Sequence, residues 1–164
     1  MIAKFVGISV SAALLACLVA TPMRAKADDS KFDSPIIGSS LRTPIAGVPS
    51  GGAPWVVSRG HTRLESSGEL RVEVTGLLLG ATAGAPGTTG SIPQVAASVV
   101  CGDIVVATTD PVLFPATGSF EIRDMVTLTQ PQVMGCPGAV VLIRIVRPAN
   151  TPAGPYIAVS GVLN

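Results

Sequence analysis

A chain of 164 residues allows one domain of ordinary size and leaves no room for two substantial ones. With 48% hydrophobic residues, 13% charged residues, 18 Gly and 14 Pro, the composition argues against wholesale disorder and suits short strands joined by many turns. The formal net charge of +1 becomes −2 once residues 1–27 are removed, because eight basic and ten acidic residues remain, and this disfavours nucleic acid as a partner.

The first 27 residues have the three parts of a secretory signal peptide. Lys4 supplies a minimal basic start, residues 5–20 form an apolar run, and Ala25-Lys26-Ala27 has the small residues of a cleavage site. The run is shorter than the roughly 20 apolar residues that a membrane-spanning helix needs. We therefore predict cleavage before Asp28, a secreted or periplasmic mature chain, and no transmembrane span after leader removal.

A second interpretation of the leader concerns Cys17. The segment Leu14-Leu15-Ala16-Cys17 resembles the bacterial lipobox, in which the cysteine is lipidated after cleavage just before it. The residues after Cys17 continue the apolar run instead of beginning a polar tether. We therefore interpret Cys17 as one more apolar leader residue, and lipid anchoring at Cys17 is the alternative.

The two cysteines that remain after leader removal are Cys101 and Cys136. In an oxidising compartment they have one possible pairing. A disulfide that closes a loop of about 35 residues contributes about 3 to 4 kcal/mol in the chain-entropy model. We predict this disulfide, with two buried free thiols as the alternative, and no second Cys or His lies near either cysteine at the spacing of a metal site.

Residues 28–52 are rich in Asp, Ser, Pro and Gly around isolated apolar pairs such as Ile36-Ile37. This composition predicts a Pro/Gly/Ser-rich extended arm, partly disordered, that precedes a domain spanning residues 53–164. A first edge strand through Ile36, Ile37 and Leu41 is the alternative.

A period-two pattern predicts strands throughout residues 53–164. It is clearest from Glu69 to Thr75, where Leu70, Val72 and Val74 alternate with polar residues. Further strands are predicted at residues 55–59, 94–101, 103–108, 119–126, 139–146 and 156–162, each bounded by turn-forming residues. In strand number and spacing the chain resembles immunoglobulin-like sandwiches, so we predict an all-β, immunoglobulin-like antiparallel β-sandwich of about seven strands with one disulfide.

One predicted strand is apolar on both faces, since residues 140–146 have Arg144 as their only polar side chain. This predicts a central strand whose outer face is covered by the arm, a loop or another subunit, and it makes a homo-oligomer or another partner a further expectation. Arg144 either anchors such a contact or covers apolar surface with its stem while its head reaches water.

Side chains that commonly carry catalysis are few. His61 is the one histidine of the chain, within a polar segment that resembles a turn. Glu69 and Glu73 stand about 13 Å apart along one strand face, whereas glycosidase carboxyl pairs stand about 5 to 9.5 Å apart. We therefore assign no catalytic residue and expect no cofactor.

No metal site is predicted either. Asp103, Asp110 and Asp124 could meet at one end of the sandwich and hold calcium, but no calcium-loop spacing supports this.

Four residues are candidates for binding: Trp55, His61, Arg144 and Tyr156. Trp55 and Tyr156 could stack a sugar or a peptide, with core packing as the alternative. The sequence thus predicts an exported non-catalytic module that binds a protein, a polymer or itself. The alternative is a small secreted hydrolase or metal-assisted enzyme that uses His61 with nearby carboxylates.

Overall fold

The computed structural model describes residues 30–40, 43–128, 139–147 and 153–160. The predicted signal peptide and Cys136 lie outside these residues. The regular elements of the described residues are all β-strands, which confirms the predicted all-β class, and no helix long and apolar enough to cross a membrane occurs among them. The strands are β1 (Ser30–Gly38), β2 (Trp55–Val56), β3 (Arg59–Glu65), β4 (Glu69–Thr75), β5 (Leu78–Leu79), β6 (Gln94–Cys101), β7 (Ile104–Thr108), β8 (Val112–Leu113), β9 (Phe120–Met125), β10 (Val140–Val146) and β11 (Tyr156–Ser160).

Nine of these strands form one curled antiparallel sheet. Its order is β7-β6-β10-β11-β1-β3-β4-β9, and β8 also pairs with β6. The remaining two strands, β2 and β5, pair with each other. The sheet has two halves: β1, β3, β4 and β9 form the first half, and β6, β7, β8, β10 and β11 form the second.

Strand β1 joins the two halves because it is paired on both sides. Its section from Ser30 to Pro35 pairs with β3, and its section from Ile36 to Gly38 pairs with β11. Proline has no backbone N–H to donate to a sheet and is rare in central strands. Here Pro35 lies at the point where β1 changes partners, so a central strand can contain it.

The position of β1 differs from the expected arm, since residues 30–38 form a strand in the middle of the sheet. Asp33 and Pro35 are exposed while Ser34 and Ile36 are buried, so a period-two pattern is present. The pattern was hidden because Ser34, a buried position, is polar. The alternative prediction, an edge strand through Ile36 and Ile37, placed a strand in the right segment but at the edge of the sheet instead of its middle.

The main core lies between the inner faces of the two halves. Leu70, Val72 and Val74 of β4 are 0%, 0% and 4% exposed, which confirms the predicted alternation along this strand. The core contains Leu64, Leu70, Val72, Val74 and Ile122 from the first half, and Val95, Ala97, Val99, Val141, Ile143 and Ile157 from the second. Burying each large apolar side chain contributes about 1.5 to 3 kcal/mol.

A second apolar cluster lies on the outer face of the second half, as the two-sided pattern of residues 140–146 predicts. Strand β10 is central, between β6 and β11, and residues 43–50 contribute the cover. Tyr156 donates its backbone N–H to the Pro49 carbonyl at 2.9 Å, which ties this segment to β11. The cluster consists of Val48, Val100, Val140, Leu142, Tyr156 and Val159.

Candidate functional site

The outer face of the first half carries a dense set of charged side chains. Inward positions alternate with outward polar ones along β3 and β4, and the outward residues Glu121 and Arg123 of β9 continue the pattern. We call this surface the charged face; its members are Asp33, Arg59, His61, Arg63, Glu65, Glu69, Arg71, Glu73, Glu121 and Arg123. Nine of the ten are Asp, Glu or Arg, in a chain that has only 10 Asp and Glu and 11 Lys and Arg in total. Charge is therefore concentrated here.

Strand register arranges the charged face in rows that cross the strands. Arg63 of β3 pairs with Arg71 of β4, and Arg71 pairs with Arg123 of β9. We call these three residues the arginine row. Like charges directly opposite each other on neighbouring strands are destabilising, so this arrangement costs stability unless acids compensate it.

A row of different charge lies on one side of the arginine row. His61 pairs with Glu73, and Glu73 pairs with Glu121. We call this row the acidic row, after its two glutamates, Glu73 and Glu121; His61 lies at its β3 end. Glu65 and Glu69 lie on the other side of the arginine row, at the ends of β3 and β4 that the hairpin turn connects.

Each arginine of the row is paired with a glutamate two residues away on its own strand. Arg71 Nη2 lies 2.6 Å from Glu69 Oε1, and Arg63 Nε lies 3.7 Å from Glu65 Oε1. Arg123 is paired with Glu121 in the same way. The hydrogen bond and charge of Glu69 raise the pKa of Arg71, with smaller contributions from Glu65 and Glu121. Exposed pairs contribute only about 0.2 to 1 kcal/mol each, so these pairs offset only a small part of the repulsion within the arginine row.

His61 contacts Asp33 on the same face. Its Nε2 lies 2.8 Å from Asp33 Oδ1, and the two side chains are 53% and 46% exposed. His61 therefore meets a carboxylate, as the enzymatic alternative requires. Its directly paired residues on the neighbouring strands are Pro35 and Glu73, and neither offers a hydroxyl or thiol nucleophile. The sequence did not single out Asp33 because that residue lies in the expected arm.

Trp55 and Tyr156 lie in the interior, which differs from their expected availability for stacking on a ligand. Trp55 is 5% exposed and packs on Phe114, with ring centroids 6.4 Å apart. Tyr156 is 0% exposed, and its hydroxyl donates a hydrogen bond to the Thr43 carbonyl at 2.7 Å. Both rings pack inside the protein, as the alternative given in the sequence analysis predicts.

Arg144 is half-buried and binds the residues that stand shortly before β11. Its Nε donates to the Gly154 carbonyl at 2.7 Å, its Nη2 donates to the Ala153 carbonyl, and its Nη1 lies 3.4 Å from Ser98 Oγ. Burial lowers the pKa of Arg144 from its ordinary value. The guanidinium thus binds backbone carbonyls of its own chain, so Arg144 has a structural role next to β11.

Cysteine and aspartate give no metal site among the described residues. Cys101 is the last residue of β6. The Asp124 carboxylate accepts hydrogen bonds from the backbone N–H groups of Asp110, at 3.1 Å, and Met125, at 2.8 Å. No group of three or more His, Cys, Asp or Glu side chains is placed to hold a metal ion within the described ranges.

No protein-family model, no curated protein and no solved structure matches this chain. Of the features described above, the charged face has the largest set of side chains that are both charged and exposed.

Proposed function

We propose that this protein is exported and acts as a non-catalytic module that binds a partner through the charged face. The observation that carries the proposal is the arginine row, in which Arg63, Arg71 and Arg123 stand side by side on neighbouring strands. A merely solvated face gains nothing from placing like charges opposite each other, because this costs stability. A face that meets an external surface gains a row of charge that the partner can match.

Export is supported by the leader and by the chemistry of the cysteines. Residues 1–27 have the form of a cleavable signal peptide. A disulfide at Cys101 supports the same location, because disulfides persist mainly in oxidising compartments outside the cytosol. We therefore assign the mature chain to the periplasm or the extracellular space, with lipid anchoring at Cys17 as the alternative.

The Cys101 disulfide is proposed to be with Cys136. Val100 pairs with Val140 at the start of β10, and Cys136 stands shortly before Val140 in the chain. A strand advances by about 3.4 Å per residue, so the chain before β10 is within reach of the end of β6. The immunoglobulin-like arrangement remains a prediction, supported by the curled antiparallel sheet around one main core.

Photo-crosslinking tests the binding function directly. Thr75 is an exposed, uncharged residue at the edge of the charged face, paired with Arg59, and a benzophenone amino acid there leaves every charge in place. Asp103, exposed in the turn after β6, is the control position outside the face. The proposal predicts covalent adducts in intact cells from the Thr75 position and few from the Asp103 position. Equal yields from both positions, or none from Thr75, would overturn it.

The contact between His61 and Asp33 favours one alternative function, a small secreted hydrolase or metal-assisted enzyme. In that alternative, the Asp33 carboxylate orients the imidazole of His61 for proton transfer. His61→Ala and Asp33→Asn would then each abolish turnover of ester, amide or glycoside substrates without changing the unfolding temperature. Turnover that is equal in the wild type and both variants would exclude this alternative.

A further inference from the structure

The charges of the charged face change sign from row to row along the strands. On β4 the order is Glu73, Arg71, Glu69, and on β9 it is Glu121, Arg123, so the sign alternates on both strands. Strand β3 adds Arg59 at one end and Glu65 at the other, and between them His61, which contacts Asp33, precedes Arg63. Successive rows are about 6.8 Å apart, because outward residues of a strand occur every second position. The face therefore presents bands of alternating charge.

We propose that the partner of the charged face is a second copy of this chain, packed face to face about a two-fold axis. This inference rests on the proposed binding function and specifies its partner. The axis runs across the strands, midway between the acidic row and the arginine row. A two-fold interface brings the same patch of both copies together, so the patch must be complementary to itself.

The register provides this complementarity. Rotation about the axis places Glu73 opposite Arg71 of the second copy and Glu121 opposite Arg123 of the second copy. It also places Arg59 opposite Glu65 of the second copy, because these residues stand at equal distances from the axis along β3. His61 faces Arg63 of the second copy. Asp33 is paired with Arg63 of its own copy and lies 2.8 Å from His61, so it supplies negative charge beside both residues.

Other arrangements and partners fit less well. An axis parallel to the strands would place the arginine row on itself, which like-charge repulsion opposes. A polyanion would meet five carboxylates of the face, and a polycation would meet four arginines. A partner that carries both signs of charge in matching bands avoids both kinds of repulsion. A second copy of this chain carries the same bands.

The size of the face predicts a weak complex. Four strands about 4.8 Å apart and about seven residues long cover about 460 Å², which is little more than half of the roughly 800 Å² per partner in a standard interface. We therefore expect a dimer with a micromolar or weaker dissociation constant. The contacts are made by exposed charges, which salt screens, so raising the salt concentration to about 1 M should dissociate the dimer.

Charge reversal tests the inference, with sedimentation velocity as the measurement on protein purified after expression of the full chain. Arg71→Glu places two glutamates opposite each other across the axis, and Glu73→Arg places two arginines there. For each variant alone, the dissociation constant of the dimer should be at least about tenfold higher than for the wild type, since attraction becomes repulsion at two symmetry-related contacts. An equal mixture of the two variants restores opposite charges at both contacts, so it should form the mixed dimer.

Matched controls separate this effect from changes in net charge or folding. Arg147→Glu and Asp103→Arg make the same changes of charge at exposed positions outside the face and should leave the dimer intact. Arg123→Glu and Glu121→Arg repeat the reversal on β9, in case the β4 variants fail to fold.

The outcomes distinguish the inference from the proposed function. A wild type that stays monomeric at millimolar concentration in low salt, or variants that dimerise as well as the wild type, would overturn the inference. If crosslinks from Thr75 then lead only to other molecules, the binding function stands with a different partner. If crosslinks from Thr75 are also missing, both proposals fail.

Discussion

Replacement of Tyr156 distinguishes a core residue from a ligand-stacking residue. The side chain is 0% exposed, and its hydroxyl lies 2.7 Å from the Thr43 carbonyl oxygen. Tyr156→Phe removes one hydrogen bond and should lower the free energy of unfolding by about 1 kcal/mol. Tyr156→Ala also empties space in the second apolar cluster and should lower it by about 3 to 5 kcal/mol.

Urea unfolding provides the assay, because Trp55, the one tryptophan of the chain, is buried and reports the loss of its environment by fluorescence. Ile37→Ala is the control, since this side chain is 54% exposed and should change stability by less than about 0.5 kcal/mol. If Tyr156→Phe and Tyr156→Ala were both as stable as this control, the buried position of Tyr156 and the cover of residues 43–50 would be refuted.

Three further predictions concern backbone contacts and the disulfide. A Cβ at Gly38 would clash with the Trp55 carbonyl oxygen, so Gly38→Ala should destabilise the fold by about 1 to 3 kcal/mol or more. Gly84→Ala is the control, because a Cβ at Gly84 meets open space, and thermal unfolding compares the two variants. Arg144→Gln loses charged hydrogen bonds to the carbonyls of Ala153 and Gly154 and should lower the free energy of unfolding in urea by about 1.5 to 3 kcal/mol. An unchanged urea midpoint would contradict the structural role of Arg144. Cys101→Ser should cost about 3 to 4 kcal/mol relative to the oxidised protein, and equal stability of the two would contradict a structural disulfide.

Much of the fold could be predicted because apolar and polar residues alternate along several strands, and this order is visible in the sequence. Leu70, Val72 and Val74 alternate with charged residues, since one side of β4 faces the core and the other faces solvent. Strand β1 was predicted only as the alternative to an extended arm, because Pro35 is of a residue type depleted in strands and the buried residue Ser34 is polar. What stabilises β1 is pairing with β3 and β11, which are distant in sequence, and such pairing cannot be read from a local window.

The candidate site was visible only in part for the same reason. The pattern of Glu69, Arg71 and Glu73 indicated an exposed polar strand face, but the arginine row joins three strands and exists only through their register. A shift of one residue in any pairing would remove it. Trp55 and Tyr156 show the opposite problem, because residue type alone does not decide whether an aromatic side chain packs inside or binds a ligand.

We propose that the mature chain acts outside the cytosol as an oxidised protein and meets its partner there. The intact mass of the protein recovered from the exported fraction, measured before and after reduction, tests it most directly. We predict an N-terminus at Asp28 and a mass that rises by two hydrogens on reduction, as one disulfide in the mature chain requires. A retained leader, a lipid on Cys17 or a mass unchanged by reduction would contradict it.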